Sequence, residues 1–337
     1  MDDYLYNKDG IKMIVDEFQK YPDKKWLVHN YEHTKDYKVF YNKHMPKFSN
    51  DIIFCNRIGC PSCLTIHRSI DERFDVNLKW YMDSEYYSRL LNKYKEPIFL
   101  NSGNVDPIMI NVHHNDQVTH ICNKELTNKE KLYINSKIKL KGLHSKLKLK
   151  YGKWEDEYEE QLMSLMFIDN ENKVLELGGN IGRNTLVIAN ILKDSKNIVS
   201  LEPNNEICKE LKENMKYNNV NVNVENSAIS KRKLYYDKWN TYLEMKPGYK
   251  EVNIISFNDL ESKYDIKFDV LVCDCEGALY NILKEDESIL KNMKLITIEN
   301  DFNNIEKKKF VDNMFSKYGL KCIYKKEGSS YAKRYFP

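Results

Sequence analysis

The sequence predicts an α/β protein: a mostly parallel sheet in the longer C-terminal part, preceded by a smaller α/β unit. Three observations point there. After residue 170, short apolar runs alternate with amphipathic stretches of helical length. The first of these runs opens directly into the glycine-rich turn "ELGGNIG". All eight histidines (His29, His33, His44, His67, His113, His114, His120 and His144) precede that turn, so two units of different chemistry are expected.

Composition limits the function classes. The 337 residues suffice for two cores, and 42% hydrophobic residues exclude a disordered chain. Lys plus Arg (53) nearly balance Asp plus Glu (50), so the field that would draw nucleic acid or membrane is missing. Eight irregularly spaced cysteines and a polar start, "MDDYLYNKDG", argue against a secreted disulfide scaffold. No apolar run approaches membrane-spanning length. The expected setting is cytoplasmic and reducing.

In chain order, "GIKMIVDEFQKYPDKKWLVHNYEHT" reads as a helix and a strand. Cys55, Cys60, Cys63 and His67 have the spacing C-x₄-C-x₂-C-x₃-H, superficially that of a zinc site, though a paired second knuckle is lacking; buried or incidental cysteines are the favoured reading. Residues 123–133 read as a polar helix or linker, and "KIKLKGLHSKLKLKYG" alternates like a hairpin, set against a basic strip facing phosphates. The expected domains are 1–130 and 131–337. "WEDEYEEQLMSLMFI" and "GRNTLVIANILKD" read as helices, as does "NEICKELKENMKYNN". "KVLELG", "NIVSLEP", "NVNVENSAI", "FDVLVCDCEG" and "KLITIEN" read as strands, and "KCIYKKEGSSYAKRYF" as a closing pair.

In such sheets ligands bind beyond the carboxyl ends of the strands. Gly178, Gly179 and Gly182 let the backbone turn there and approach a ligand closely. Neither the G-x-G-x-x-G of a dinucleotide site nor a Gly-Lys-Ser/Thr ending is present. Glu176, at the entrance of the loop, would repel a pyrophosphate and suit a cation; S-adenosylmethionine carries a sulfonium and an ammonium. Glu202 ends the next strand, where a carboxylate accepts the hydroxyls of a ribose.

The run from "VLELGGNIGRNTLVIA" through "FDVLVCDCEGALYNILKEDESILKNMKLITIEN" resembles the FkbM family of S-adenosylmethionine-dependent methyltransferases over about residues 150–325. The resemblance implies a Rossmann-like class I methyltransferase with a seven-stranded sheet and O-methylation of sugars. It implies Glu176, Gly178, Asn180 and Gly182 in the cofactor loop, Glu202 at the ribose, Ser227 and Ala228 at the adenine, and Asp274, Glu276 and Gly277 as the Asp-x-Glu-Gly signature. It adds Glu299 at the end of the fifth strand. Val272 departs from the family, which usually has Lys there. With no histidine after residue 144, the base that activates a hydroxyl must be a carboxylate, or else Tyr or Lys. Asp274 and Glu276 are the candidates, one of them alternatively orienting the cofactor's amino group. Asp274 with Glu299 and Asn300 also has the makings of an oxygen-ligated Mg²⁺ site.

"IGCPSCLTIHRSIDERFDVNLKWYMDSEYYSRLL" resembles the acceptor-side half of a family-two glycosyltransferase of the GT-A fold. That resemblance implies Asp83 as an acceptor base, Asp2 and Asp3 as remains of a metal-binding pair, and His113 or His114 facing a metal. The nucleotide-binding half that should precede them is missing, so a fragment of a bifunctional protein, a relic, or an edge covered by a second copy is expected. Trp80, Tyr81, Tyr86 and Tyr87 suit either sugar stacking or a core. The expected function is methyl transfer to a carbohydrate hydroxyl. The alternatives are a glycosyltransferase-type protein and, weighed lowest, an RNA cap or nucleic-acid methyltransferase.

Overall fold

The computed structural model describes residues 3–49, 51–100, 106–115, 117–299, 302, 304–327 and 333–336. The chain divides into two compact units, Met1–Ile134 and Asn135–Pro337.

In the second unit, strands β1 (Val174–Leu177), β2 (Ile198–Leu201), β3 (Asn223–Glu225), β4 (Val270–Cys273), β5 (Leu295–Ile298), β6 (Tyr324–Glu327) and β7 (Lys333–Phe336) form one sheet. Their order is β3-β2-β1-β4-β5-β7-β6. The first five run parallel and β7 lies antiparallel between β5 and β6. This is the Rossmann-like arrangement of class I methyltransferases. Every residue of β1, β2, β4 and β5 is buried, as expected of central strands covered on both faces. Helices α1 (Tyr158–Phe167), α2 (Arg183–Ile191), α3 (Asn205–Tyr217), α4 (Phe257–Tyr264), α5 (Leu279–Glu285) and α6 (Ile305–Lys317) accompany them. One core joins Leu175, Val199 and Leu271 of the sheet to Leu260, Leu283 and Val311 of the helices.

Register decides what stands at the carboxyl ends. Leu177 pairs with Leu201 and with Cys273, and Cys273 pairs with Ile298. The next residues, Gly178, Glu202, Asp274 and Glu299, therefore form a rank across four neighbouring strands. Their amides prolong the ladder: Gly178 donates to Leu201 (3.0 Å), Asp274 to Leu177 (3.0 Å) and Glu299 to Cys273 (3.0 Å).

Three short strands, Leu234–Asp237, Asn240–Tyr242 and Lys250–Val252, make a small antiparallel sheet that the sequence reading did not anticipate. The expected hairpin at "KIKLKGLHSKLKLKYG" is not formed. Its first part belongs to a helix, Lys124–Lys146. The Lys-Leu alternation mimics a strand, but Tyr133, Ser136 and Leu140 are buried at helical spacing, and Leu and Lys are good helix formers.

In the first unit a four-stranded sheet pairs Tyr4–Leu5, Met109–Val112, Tyr31–Thr34 and Phe40–His44 in that order. A three-stranded sheet pairs Leu64–Ile66, Trp26–His29 and Ile98–Leu100. The helix Met82–Tyr94 packs Tyr86, Tyr87 and Leu90 with Trp26 in the core. Tyr86 and Tyr87 are thus core residues and not sugar platforms, and Tyr81 is buried with them.

Candidate functional site

A cleft of about 200 Å³ opens over the rank of strand-end residues. Gly178 enters it with φ +86, and a Cβ there would lie 1.7 Å from the carbonyl oxygen of Asp274. Only glycine fits. Cβ atoms at Gly179 and Gly182 would instead strike Ser200 (2.2 Å) and Met215 (2.6 Å), so these two pack the loop against β2 and α3 and do not line the cleft. Asn180, also at positive φ, lines it and ties the loop down, donating from Nδ2 to Glu157 Oε1 (2.7 Å) and from its amide to Glu202 Oε2 (3.1 Å).

Glu176 differs from expectation. Its carboxylate is fully buried beneath the loop, accepting from Thr185 Oγ1 (2.5 Å) and Ser200 Oγ (2.6 Å), and it is absent from the cleft wall. On an inner strand its side chain points away from the crevice. Burial pushes its carboxyl up to about 7.

Glu202 stands in the cleft, one oxygen accepting from the Asn204 amide (2.8 Å) and the other from that of Asn180. Burial raises its carboxyl to about 7 as well. Ser227 and Ala228 line the same end, and Ser227 Oγ is buried with no hydrogen-bond partner among the described residues. An orphaned hydroxyl beside a ribose-type carboxylate fits a nucleoside, which would supply the missing partner.

At the other end the Asp274 and Glu299 carboxylates face one another, their oxygens within 4.8 Å and placed to share a proton in a hydrogen bond. Burial first, then that bond and the charges of Glu299, Glu157 and Glu160, hold the Asp274 carboxyl well above the usual carboxylate range. Glu276, more exposed at the rim, is raised by desolvation and by Glu299. Its φ of +53 is uncommon outside glycine, and the Gly277 that follows is also left-handed. Ligand oxygens of Glu160, Asp274 and Glu299 lie within 4.8 Å of one another. Such a trio can share protons or hold a divalent cation. The third member is Glu160 from α1; Asn300, expected in that place, lies outside the described residues.

Sequence reasoning missed Glu157, Glu160, Tyr236 and Trp239. The two acids look like ordinary first-turn helix residues. Tyr236 and Trp239 belong to the small hairpin, whose loop is Lys238–Trp239; Trp239 is 61% exposed while lining the cleft. The signal was the polar-aromatic run "YYDKWNTY".

Six carboxylates (Glu157, Glu202, Asp274, Glu276, Glu285 and Glu299) and no basic side chain are among the described residues lining the cleft. That wall repels a pyrophosphate and attracts a cation.

A family model for protein-L-isoaspartate(D-aspartate) O-methyltransferases matches residues 157–233, the span from α1 past β3. In this segment and in its strand order the second unit resembles S-adenosylmethionine-dependent methyltransferases. Solved structures similar to this chain include an O-methyltransferase from Bacillus cereus in complex with SAH (13% identity, 61% of this chain and 89% of that one, TM-score 0.37). Others are fibrillarin from Aeropyrum pernix with natively bound S-adenosyl-L-methionine (11%, 54% and 74%, 0.36) and a methyltransferase from Pyrococcus furiosus (13%, 62% and 97%, 0.36). Each is a likeness only. A search of curated proteins returns no match.

In the first unit Asp3 accepts from Asn111 Nδ2 (3.0 Å), from the Val112 amide (3.0 Å) and from Ser62 Oγ. His113 follows Val112, its ring 5.0 Å from that of His33. Asp83 begins the helix Met82–Tyr94; it accepts from Asn56 Nδ2 (3.0 Å) and the Ser84 amide (2.7 Å), and burial pushes its carboxyl up to about 6. Asp2 lies outside the described residues. The zinc-like spacing, disfavoured on the sequence, corresponds to no ligand cluster: among the described residues no group of metal-ligand atoms includes Cys55, Cys60, Cys63 or His67. His67 Nδ1 is instead engaged by Ser69 Oγ at 2.8 Å. No described helix is long and apolar enough to cross a membrane.

Proposed function

We propose that this chain is an O-methyltransferase whose acceptor is a carbohydrate hydroxyl, the reading its FkbM-like motifs support. The observation that carries it is the Asp274–Glu299 pair in the same cleft as Glu202. Glu202 holds the ribose hydroxyls and Ser227 the base end. S-adenosylmethionine, when bound, supplies the methyl group on a sulfonium leaving group. The remaining work falls to side chains. The acceptor oxygen must be held about 3–3.5 Å from the methyl carbon and lose its proton as the bond forms. Like charges this close raise the affinity of the fully ionised pair for one shared proton, so in that state the Asp274–Glu299 pair is a stronger base than an isolated carboxylate and takes the hydroxyl proton into the space between them. Glu276 orients the acceptor or the cofactor's amino group at the rim. The exposed face of Trp239 offers a platform for a sugar ring.

A glycosyltransferase-type site in the first unit is the second reading, favoured by Asp3 and His113 sharing one sheet edge. A nucleic-acid acceptor is disfavoured by the acidic wall. The test is a methyl-release assay over glycans and glycoconjugates with and without exhaustive EDTA. Transfer to a sugar hydroxyl supports the proposal, and EDTA-resistant turnover removes the cation from the Glu160–Asp274–Glu299 trio. Binding of sugar nucleotides without S-adenosylmethionine would favour the second reading.

A further inference from the structure

The first unit carries a pair of sulfurs that the methyl-transfer reading does not use. Pro61–Cys63 is a single 3₁₀ turn capped by Cys60, and the Cys63 amide donates to the Cys60 carbonyl at 3.1 Å. Residues three apart eclipse in such a turn, which sets the two side chains on one side of it, and the Cys63 thiol donates to the Ile58 carbonyl at 3.7 Å. Both are free thiols. Cys63 is wholly buried among Trp26, Tyr31 and Tyr87, whereas Cys60 is half-buried.

We propose that Cys60 and Cys63 form a redox-active dithiol that exchanges with organic disulfides, Cys60 as the attacking sulfur and Cys63 as the resolving one.

The surroundings separate the two roles. The titratable groups facing the pair are Asp3, Tyr31, Asp83 and Tyr87. The neighbouring Cys63 side chain brings the Cys60 thiol down against its burial, and the same pairing together with burial holds Cys63 up. The accessible sulfur is thus the more easily ionised, and the thiolate is the nucleophile. Its attack on a disulfide R–S–S–R forms Cys60–S–S–R and releases RS⁻, which takes up a proton. Cys63 then gives up its proton and attacks the Cys60 sulfur, expelling the second RS⁻. The dithiol loses two electrons and two protons, and the disulfide becomes two thiols.

The test uses the full chain in buffers of reduced and oxidised glutathione at graded ratios, quenched with acid and mapped by peptide mass. A reversible Cys60–Cys63 disulfide is expected. Cys60→Ser should abolish exchange, and Cys63→Ser should leave a glutathione adduct on Cys60. A variant-free measurement accompanies them: at pH 7 iodoacetamide should alkylate Cys60 about tenfold faster than the exposed Cys322. Cys60 reacting no faster than Cys322, with no Cys60–Cys63 disulfide at any ratio, would overturn the proposal. So would one equivalent of zinc retained on these sulfurs.

Discussion

The two units treat their buried acids in opposite ways. In the first, the acids answer to internal donors. Glu85 is held by Arg89 Nε (3.0 Å). Glu130 receives the amides of Lys79, Trp80 and Tyr81 ahead of the helix Met82–Tyr94, and Asp83 has Asn56 and Ser84. In the second, six carboxylates line one cleft whose described wall offers no basic side chain; burial raises the proton affinity of Glu157, Glu202, Asp274 and Glu276, while Glu285 is paired with Arg232 and lowered. Buried charge without a cation costs stability. Acids kept in that condition at strand tips, Glu202 and Asp274 on either side of β1, mark a place for a cationic ligand, while paired acids mark architecture.

The largest effect that would break this contrast is expected at Gly178. Gly178→Ala forces a Cβ against the Asp274 carbonyl, so S-adenosylmethionine affinity should fall by more than about a hundredfold, read by calorimetry, with a stability loss of roughly 2–4 kcal/mol in urea. Wild-type affinity in that variant would show that the strand tips do not form the site. Asp274→Asn keeps the shape and removes the base; turnover should drop about 10²–10⁴-fold with cofactor affinity nearly unchanged. Equal loss in both would make Asp274 a binding residue.

A subtler effect is expected at Glu176. Because the folded protein holds this proton more tightly than the unfolded chain, the carboxyl stabilises the fold fully below its ordinary value of 4.5 and loses that contribution as pH rises through about 7. Glu176→Gln should therefore flatten the fall in stability between pH 5 and 8 by up to about 3 kcal/mol, measured by thermal melts across pH. Identical pH profiles for the two proteins would sink this reading. The smallest effect is a control. Gly142 lies in the helix Lys124–Lys146 with nothing within 4 Å of a Cβ, so Gly142→Ala should raise stability by about 0.5–1 kcal/mol without touching cofactor affinity.

Much of the second unit was legible because its strands are continuous apolar runs that end in glycine or acid, as "VLELGG" and "VLVCDCEG" do. Glu202, Asp274 and Glu299 stand at strand ends that these runs make visible, whereas Ser227 was expected only from the family resemblance. Glu176 was misread because position in a loop entrance does not reveal which face a side chain takes, and here Thr185 and Ser200 hold it inward. The strands of Leu234–Val252 were illegible for want of an apolar run, which hid Trp239 and Tyr236. Glu157 and Glu160 are brought to the cleft by the packing of α1, and nothing in their local sequence separates them from solvated helix-start acids.

The account rests on a cationic nucleoside held between Glu202 and the Asp274–Glu299 pair, and calorimetric titration of the full chain with S-adenosylmethionine tests that most directly. Micromolar binding, on the order of −7 to −8 kcal/mol, weakened about 10–100-fold by Glu202→Ala, is the result expected. No heat of binding with S-adenosylmethionine or S-adenosylhomocysteine, or an affinity indifferent to Glu202→Ala, would contradict it.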